Sequence, residues 1–294
     1  MEKLFENLKK YNFWSSNKPN LGFIRNEYLS TIKKYINNKL VKVFVGQRRV
    51  GKSYIMRQII HFLIDSKNVN PQNIFYLNKE YIDFDEIIDY KHLNQLFLYY
   101  KKTLKIEGKI YIFIDEIQNI KGWELFVNSY SQDYTNQYEI FISGSNSNLL
   151  SKELASHLSG RFVEFMILPY SFEEFAELKK QKRNKETYLE YLKYGGLPEL
   201  FNLNSQETKR NYVESVRNTI ILRDIVARYF VKDIELLENL FKYVMSNIGN
   251  LTSVTNIVAY YKSIGKKTNY ETVSTYLRFI TDTMIVHELE RYDI

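Results

Sequence analysis

The chain has 294 residues, 45% hydrophobic and 26% charged, with 4 Pro, 11 Gly and no Cys. That balance excludes a disordered chain, a collagen-like repeat, a disulfide scaffold, a Cys-ligated zinc site and a cysteine nucleophile. The formal charge of +7 sits at the front: residues 1–70 carry 14 basic and 4 acidic side chains, residues 71–150 carry 7 and 11, so phosphate groups are attracted chiefly to the N-terminal part, although a solvated lysine-rich face explains much of the excess.

The N-terminal MEKLFENLKKYNFW mixes charges among its apolar residues and lacks the continuous apolar core of a signal peptide. No run approaches the roughly 18 apolar residues needed to span a bilayer. The absence of cysteine suits a reducing cytosol, so a cytoplasmic location and no membrane partner are expected.

Residues 40–45, LVKVFV, are a short β-branched run that reads as a strand, and SYIMRQIIHFLI after it has helical spacing. Further strands are expected at 73–78, 109–115, 138–143 and 161–168. Helices are expected at 85–104, at 122–134 and in NLLSKELASHL before the last strand. Strands alternating with helices predict an α/β fold with a mainly parallel sheet covered on both faces. After Pro169 the pattern turns helical: SFEEFAELKK, KETYLEYLKY and a long run from Gln206 to Arg228. Boundaries are placed near 170 and 232, giving a core over 1–170, a helical segment over 171–232 and a third domain over 233–294.

The strongest chemical signal is Gly46-Gln47-Arg48-Arg49-Val50-Gly51-Lys52-Ser53. It fits G-x-x-x-x-G-K-[ST] and lies between a strand and a helix, as that pattern requires. Gly46 and Gly51 tolerate backbone angles that let successive N–H groups point inward, and the following helix adds its positive end. Lys52 is placed to meet the β- and γ-phosphates, and the Ser53 hydroxyl to meet magnesium. Tyr54, the next residue, is counted with the nucleotide-binding stretch. Arg48 and Arg49 are open between a phosphate, a neighbouring subunit and a structural role.

The partner signal is the apolar strand ending in Asp115-Glu116. Strand residues alternate in direction, so the two carboxylates can serve two tasks. Asp115 is expected to hold magnesium, usually through water, and Glu116 to polarise an attacking water as general base.

Together these segments resemble the Walker A and Walker B motifs of a P-loop ATPase of the AAA+/STAND division. FIDEIQNIKGWE, SGSNSNLLSKELASHLSGRFVEFMILPYSFEEF and YLKYGGLPE are similar to signature segments of a prokaryotic AAA-like family with a C-terminal domain of unknown function. The resemblance runs from about Arg25 to the end and implies ATP or ADP as ligand with Mg2+. It implies a sensor strand between the two motif strands, with Ser143, Ser145 and Asn146 as its polar candidates. It also implies that Gly196-Leu197-Pro198 is the G-x-P motif of a lid, with Pro198 against adenine. Arg161, opening the fifth strand, is a candidate to stabilise the transferring phosphoryl group, in cis or across a subunit contact, against the alternative of an ion pair with Glu164 or Glu153.

At the C-terminus, IELLENLFKYVMSNI, SVTNIVAYYKS, a turn at Ile264-Gly265 and NYETVSTYLRFITDTM precede the alternating IVHELERYDI. Ser253 and Asn269 are expected as helix caps. The order helix, helix, turn, helix, strand outlines a winged helix-turn-helix. Tyr270, Thr272, Ser274, Thr275 and Arg278 would face DNA, with Lys262, Lys266 and Lys267 on phosphates. Residues 251–294 carry 5 basic and 5 acidic side chains, a poor footprint for DNA, so protein packing is favoured. The chain ends where a wing strand should find its partner, so a truncated or shortened member is expected. The overall expectation is an ATP hydrolase, with a second copy or another protein as further partner. A slow nucleotide-dependent switch and a DNA-binding module are the rivals.

Overall fold

The computed structural model describes residues 1–15, 19–145, 158 and 160–289. The chain divides into two compact units, Met1–Asn202 and Leu203–Ile294. The dividing point falls inside the segment 171–232 expected as a lid. No helix among the described residues is long and apolar enough to cross a membrane.

The first unit is built on five parallel strands: β1 (Val41–Val45), β2 (Ile74–Asn78), β3 (Ile110–Asp115), β4 (Tyr138–Gly144) and β5 (Phe162–Met166), in the order β2-β3-β4-β1-β5. Every residue of β1, β2 and β3 is buried, which is why these strands read as continuous apolar runs rather than as an alternation. Register places Asn78 beside Asp115 and Val45 beside Gly144. The carboxyl ends of the four strands β2, β3, β4 and β1 therefore finish together, with β4 between the two motif-bearing strands. On one face the rings of Phe113 and Phe141 stack at 4.4 Å, and those of Phe44 and Phe165 at 5.6 Å.

Around the sheet lie α1 (Glu2–Tyr11), α2 (Asn26–Lys33), α3 (Lys52–Lys67), α4 (Tyr90–Leu104), α5 (Trp123–Gln132), α6 (Phe172–Lys179) and α7 (Lys185–Tyr194). The expected helix from 85 begins only at Tyr90. The Asp89 carboxylate takes the N–H groups of Lys91 and His92, and a carboxylate bonded in this way fixes a helix start. Before it, residues 88–90 pair with Lys121. Ser171 and Glu174 close a capping box on α6. The helix expected in 148–158 lies outside the described residues, apart from Leu158.

The N-terminus is not a loose tail. Leu4, Phe5 and Leu8 of α1 are buried, and the Asp83 carboxylate accepts from the Tyr11 hydroxyl at 2.7 Å and from Lys10 at 3.2 Å. Beyond the helix, Asn12 Nδ2 donates to Tyr76 O at 2.8 Å while Tyr76 N donates to Asn12 Oδ1 at 2.8 Å. Trp14 Nε1 donates to Ile74 O at 2.8 Å. Two side chains thus occupy the free side of β2, an edge strand whose backbone groups would otherwise be a template for pairing.

At the amino ends of the strands, Lys42 and Glu139 form a wholly buried pair at 2.7 Å. Lys109 adds a second cation to Glu139 at 2.5 Å, and the Asn37 N–H donates to both carboxylate oxygens. Desolvation pushes the Lys42 ammonium below its usual range, against the opposing pull of Glu139. A carboxylate with two cations and a backbone donor is satisfied in a way a bare buried charge is not.

The second unit is helical: α8 (Gln206–Thr219), which runs on through a π-helical stretch Ile220–Val226 to Tyr229, then α9 (Ile234–Ser246), α10 (Val254–Ser263) and α11 (Tyr270–Asp282). Ser253 and Asn269 accept from Asn256 N and Thr272 N and cap α10 and α11. Val273, Ile280 and Met284 are buried, with Leu277 packed beside them. The expected terminal strand is not formed over 285–289, and 290–294 lie outside the described residues. A strand needs a neighbour to take its backbone bonds, and nothing among the described residues of this unit supplies one.

Candidate functional site

The loop after β1 is shaped by three positions. Gly46 lies so close to the chain after β5 that a Cβ there would sit 2.2 Å from Ile167 O. Arg49 and Gly51 have φ of 68° and 96°. Val50 turns inward and is fully buried in the core, anchoring the loop. The left-handed Gly51 precedes α3, which has no side-chain cap and no acidic residue in its first turn. Its first N–H groups and its positive end are thus left for an anion.

Lys52 opens α3 and is 5% exposed. Its ammonium donates to Gly46 O at 2.9 Å and Gln47 O at 3.1 Å and stands 3.6 Å from Glu116 Oε1. Arg48 reaches Glu80, just beyond β2, at 2.7 Å, while Arg49 is exposed.

Asp115 is fully buried at the end of β3. Its carboxylate accepts from the Ser143 hydroxyl, from Asn78 Nδ2 at 3.1 Å and from the Tyr76 hydroxyl at 3.5 Å, and Ser53 lies near enough to pull its pKa down. Burial foremost, then the neighbouring Glu116 charge, raises its pKa; the two serines and Lys52 only partly offset this. Glu116 adopts φ 55°, so its carboxylate turns out of the strand direction. Burial would raise its pKa as well, but Lys52, then Gln118, Arg48 and Ser145 outweigh that and hold it below the usual value. It therefore stays ionised opposite the lysine.

Ser143 ties the pair together, since its hydroxyl also accepts the Glu116 N–H at 3.1 Å. It is wholly buried, and both of these bonds go to the acidic pair. Asn146 lies outside the described residues. Pro198 comes to the loop: its Cγ is 4.0 Å from where a Cβ on Gly51 would stand. Gly196 is fixed by a hydrogen bond from Tyr170 N to its carbonyl at 2.8 Å, and a Cβ on it would lie 2.1 Å from Tyr170 O. Tyr54 is partly exposed on α3, with Gly22 against its ring and the Arg57 guanidinium 4.1 Å over it.

Arg161 does not join this group in its own chain. It directly precedes β5, whose Phe162 pairs with Val41, so it stands at the amino end of the sheet, the length of β1 away from Gly46. At roughly 3.3 Å per residue five residues separate them by about 16 Å. The in-cis role is corrected on that ground; a contact across subunits and the ion-pair alternative remain.

Several contributors escaped sequence reasoning. Asn78 and Tyr76 on β2 hold Asp115, and Gln118 donates to Glu116 Oε2 at 2.6 Å. Arg25, 3% exposed, makes a two-pronged pair with Glu174 at 2.7 and 2.6 Å and donates to Leu168 O at 2.7 Å. Gln58 on α3 donates to Leu21 O and Phe23 O. These fasten residues 21–25 across the start of α3 and the segment leading to Gly196. No periodicity announces such contacts. The one available signal was the amide next to the acidic pair in Asp115-Glu116-Ile117-Gln118.

Residues 38–176 match the AAA_14 family, described as an AAA domain, and residues 185–294 match a domain of unknown function, DUF8612. An uncharacterized protein of Haemophilus influenzae is 33% identical over 274 residues, covering 92% of this chain and 67% of that protein. The chain belongs to this family: an AAA P-loop ATPase domain followed by a domain of unknown function. An uncharacterized protein of Methanocaldococcus jannaschii is 32% identical over 272 residues, and the alignment spans 88% of this chain and 58% of that longer protein. Among solved structures, the ORC2 protein of Aeropyrum pernix in its ADP form has the same fold, with TM-score 0.53, 12% identity and coverage of 91% and 88%. The AAA domain thus takes in β1 to β5 and the loop, and ends within α6.

Proposed function

We propose that this AAA protein binds ATP with Mg2+ at the loop 46–53 and hydrolyses it. The observation that carries the reading is the meeting of Lys52 and Glu116 at 3.6 Å beneath the loop, with Asp115 at the end of β3 next to Glu116. Phosphate oxygens are received by the uncapped N–H groups of α3, and Lys52 exchanges its two loop carbonyls for phosphate oxygens. Glu116, ionised and held beside Lys52, orients and deprotonates the attacking water.

The Ser53 hydroxyl and Asp115 carboxylate are two hard oxygen donors, Ser53 near enough to affect the Asp115 carboxyl, and the described residues include no cluster of three or more His, Cys, Asp or Glu. That donor set suits a cation which keeps several waters and takes its other ligands from phosphate. When bound, Mg2+ supplies positive charge to the phosphate oxygens. Pro198, resting near Gly51, supports a lid contact to the base.

The test is paired. Lys52→Ala should abolish ATP binding, measured by titration of a labelled nucleotide. Glu116→Gln should leave binding intact and lower turnover about 10²–10⁴-fold. ATP binding unchanged in Lys52→Ala would refute the reading. The closeness of Pro198 to the loop also supports a second reading, a slow switch whose lid follows nucleotide state. Unassisted turnover above about 1 s⁻¹ would argue against that switch. For the second unit, the order α10, turn, α11 supports a helix-turn-helix used in protein packing, with Lys266 already paired to Glu235 at 2.8 Å.

A further inference from the structure

Gln118 lies in the single turn Ile117–Asn119 that follows Glu116. The left-handed Glu116 backbone bends the chain so that the side chain two residues later returns to the carboxylate. Gln118 Nε2 donates to Glu116 Oε2 at 2.6 Å and to Ser145 Oγ at 3.3 Å. Ser145, just after β4, is 2% exposed and lies near enough to help hold the Glu116 carboxyl below its usual value. The other end of the same amide behaves differently: Gln118 Oε1 is buried and has no hydrogen-bond partner among the described residues. An amide oxygen in that condition is costly to bury, and Asp115, Lys52 and Ser143 each find partners in the same site.

We propose that Gln118 positions both participants in the hydrolytic step, its Nε2 fixing the Glu116 carboxylate beside Lys52 and its Oε1 accepting a hydrogen bond from the attacking water. The inference rests on the hydrolytic reading above and adds a residue outside the acidic pair. In the step, the water oxygen forms a bond to the γ-phosphorus. The bond from that phosphorus to the β–γ bridging oxygen breaks, and its electron pair leaves on ADP. One water proton passes to Glu116; the other O–H stays on the new phosphate and is the group Gln118 Oε1 holds. A planar amide with donor and acceptor at opposite ends suits this double task, because fixing one end fixes the other.

The experiment uses the full chain and Gln118→Met, which keeps length and volume but removes donor and acceptor. Steady-state ATP hydrolysis is measured together with equilibrium binding of a labelled ATP analogue. The expected result is a fall in kcat of about ten- to a hundredfold with Kd changed less than about twofold. In a Glu116→Gln background the same substitution should add less than about a twofold loss, because the two residues act as a unit. Gln118→Glu, which keeps an acceptor but sets a like charge against Glu116, should also lose kcat and serves if the methionine variant folds poorly. Unchanged kcat in either variant, a full loss in the Glu116→Gln background, or a loss carried by Kd would overturn the proposal. A wild type without Lys52-dependent turnover sinks the hydrolytic reading and this one with it. An active wild type with an equally active Gln118→Met sinks this one alone.

Discussion

The Asn12 side chain pairs with the Tyr76 backbone as one peptide unit pairs with another, giving and taking a hydrogen bond at 2.8 Å each. Asn12→Ala removes both partners from a buried edge and should cost about 1–3 kcal/mol, the range for leaving buried polar groups unpaired. Asn12→Asp should cost more, because a carboxylate then faces the Tyr76 carbonyl. Urea unfolding of the two variants measures the order; equal stability of both with wild type would show that the pairing contributes nothing.

The Lys42–Glu139–Lys109 cluster predicts an asymmetry. Glu139→Gln strands a fully buried ammonium and should destabilise by about 3–5 kcal/mol, whereas replacing Lys42 by Met and Glu139 by Gln together should recover much of that loss. A double-mutant cycle by thermal unfolding reads the recovery.

Gly196 lies under a carbonyl. In Gly196→Ala the new methyl would meet Tyr170 O at 2.1 Å, so the Tyr170–Gly196 hydrogen bond must open and Pro198 must move from Gly51. Overpacking of this kind costs about 1–3 kcal/mol. We expect ATP affinity to fall about tenfold or more, since the misplaced segment borders the loop. Isothermal titration of the folded variant checks this.

Asp83 makes the docking of α1 depend on pH. The Tyr11 and Lys10 hydrogen bonds hold its carboxyl below the usual carboxylate range. The folded state therefore prefers the charged form more than the unfolded chain does, and the stabilisation is present above the ordinary value of about 3.9 and lost as pH falls through the lowered one. The stability gap between wild type and Asp83→Asn should be open at pH 7 and close in acid. Chemical unfolding at several pH values measures it, and a gap that widened in acid would reverse the assignment.

Much of the core was legible because its signals are local. β1, β2 and β3 are covered on both faces, so their burial is written as unbroken apolar runs, and the loop 46–53 carries its geometry in its own glycines. Ser253 and Asn269 could be read as caps because capping is a bond to a neighbour three residues away. The start of α4 was missed by five residues because Asp89, not the apolar run before it, fixes the boundary. Harder to read were individual side-chain bonds to partners distant in sequence: the Ser143 hydroxyl, a phosphate candidate, donates to Asp115, 28 positions earlier. Arg161 looked like a phosphate-stabilising cation, yet its distance from the loop is set by the β1–β5 register. The N-terminal helix carries its buried residues at 4, 5 and 8, at helical spacing, but the charges interleaved among them mask that stripe.

The pairing of Asn12 and Trp14 with β2 bears on how the protein can be dissected. A fragment trimmed to residues 38–176, the span matched by the AAA family, would be shorn of both side chains. It would keep every catalytic candidate of the loop and the acidic pair, yet present a bare lateral row of amides to its neighbours. Such a piece should polymerise side by side, and its insolubility would say nothing about whether the nucleotide site is sound.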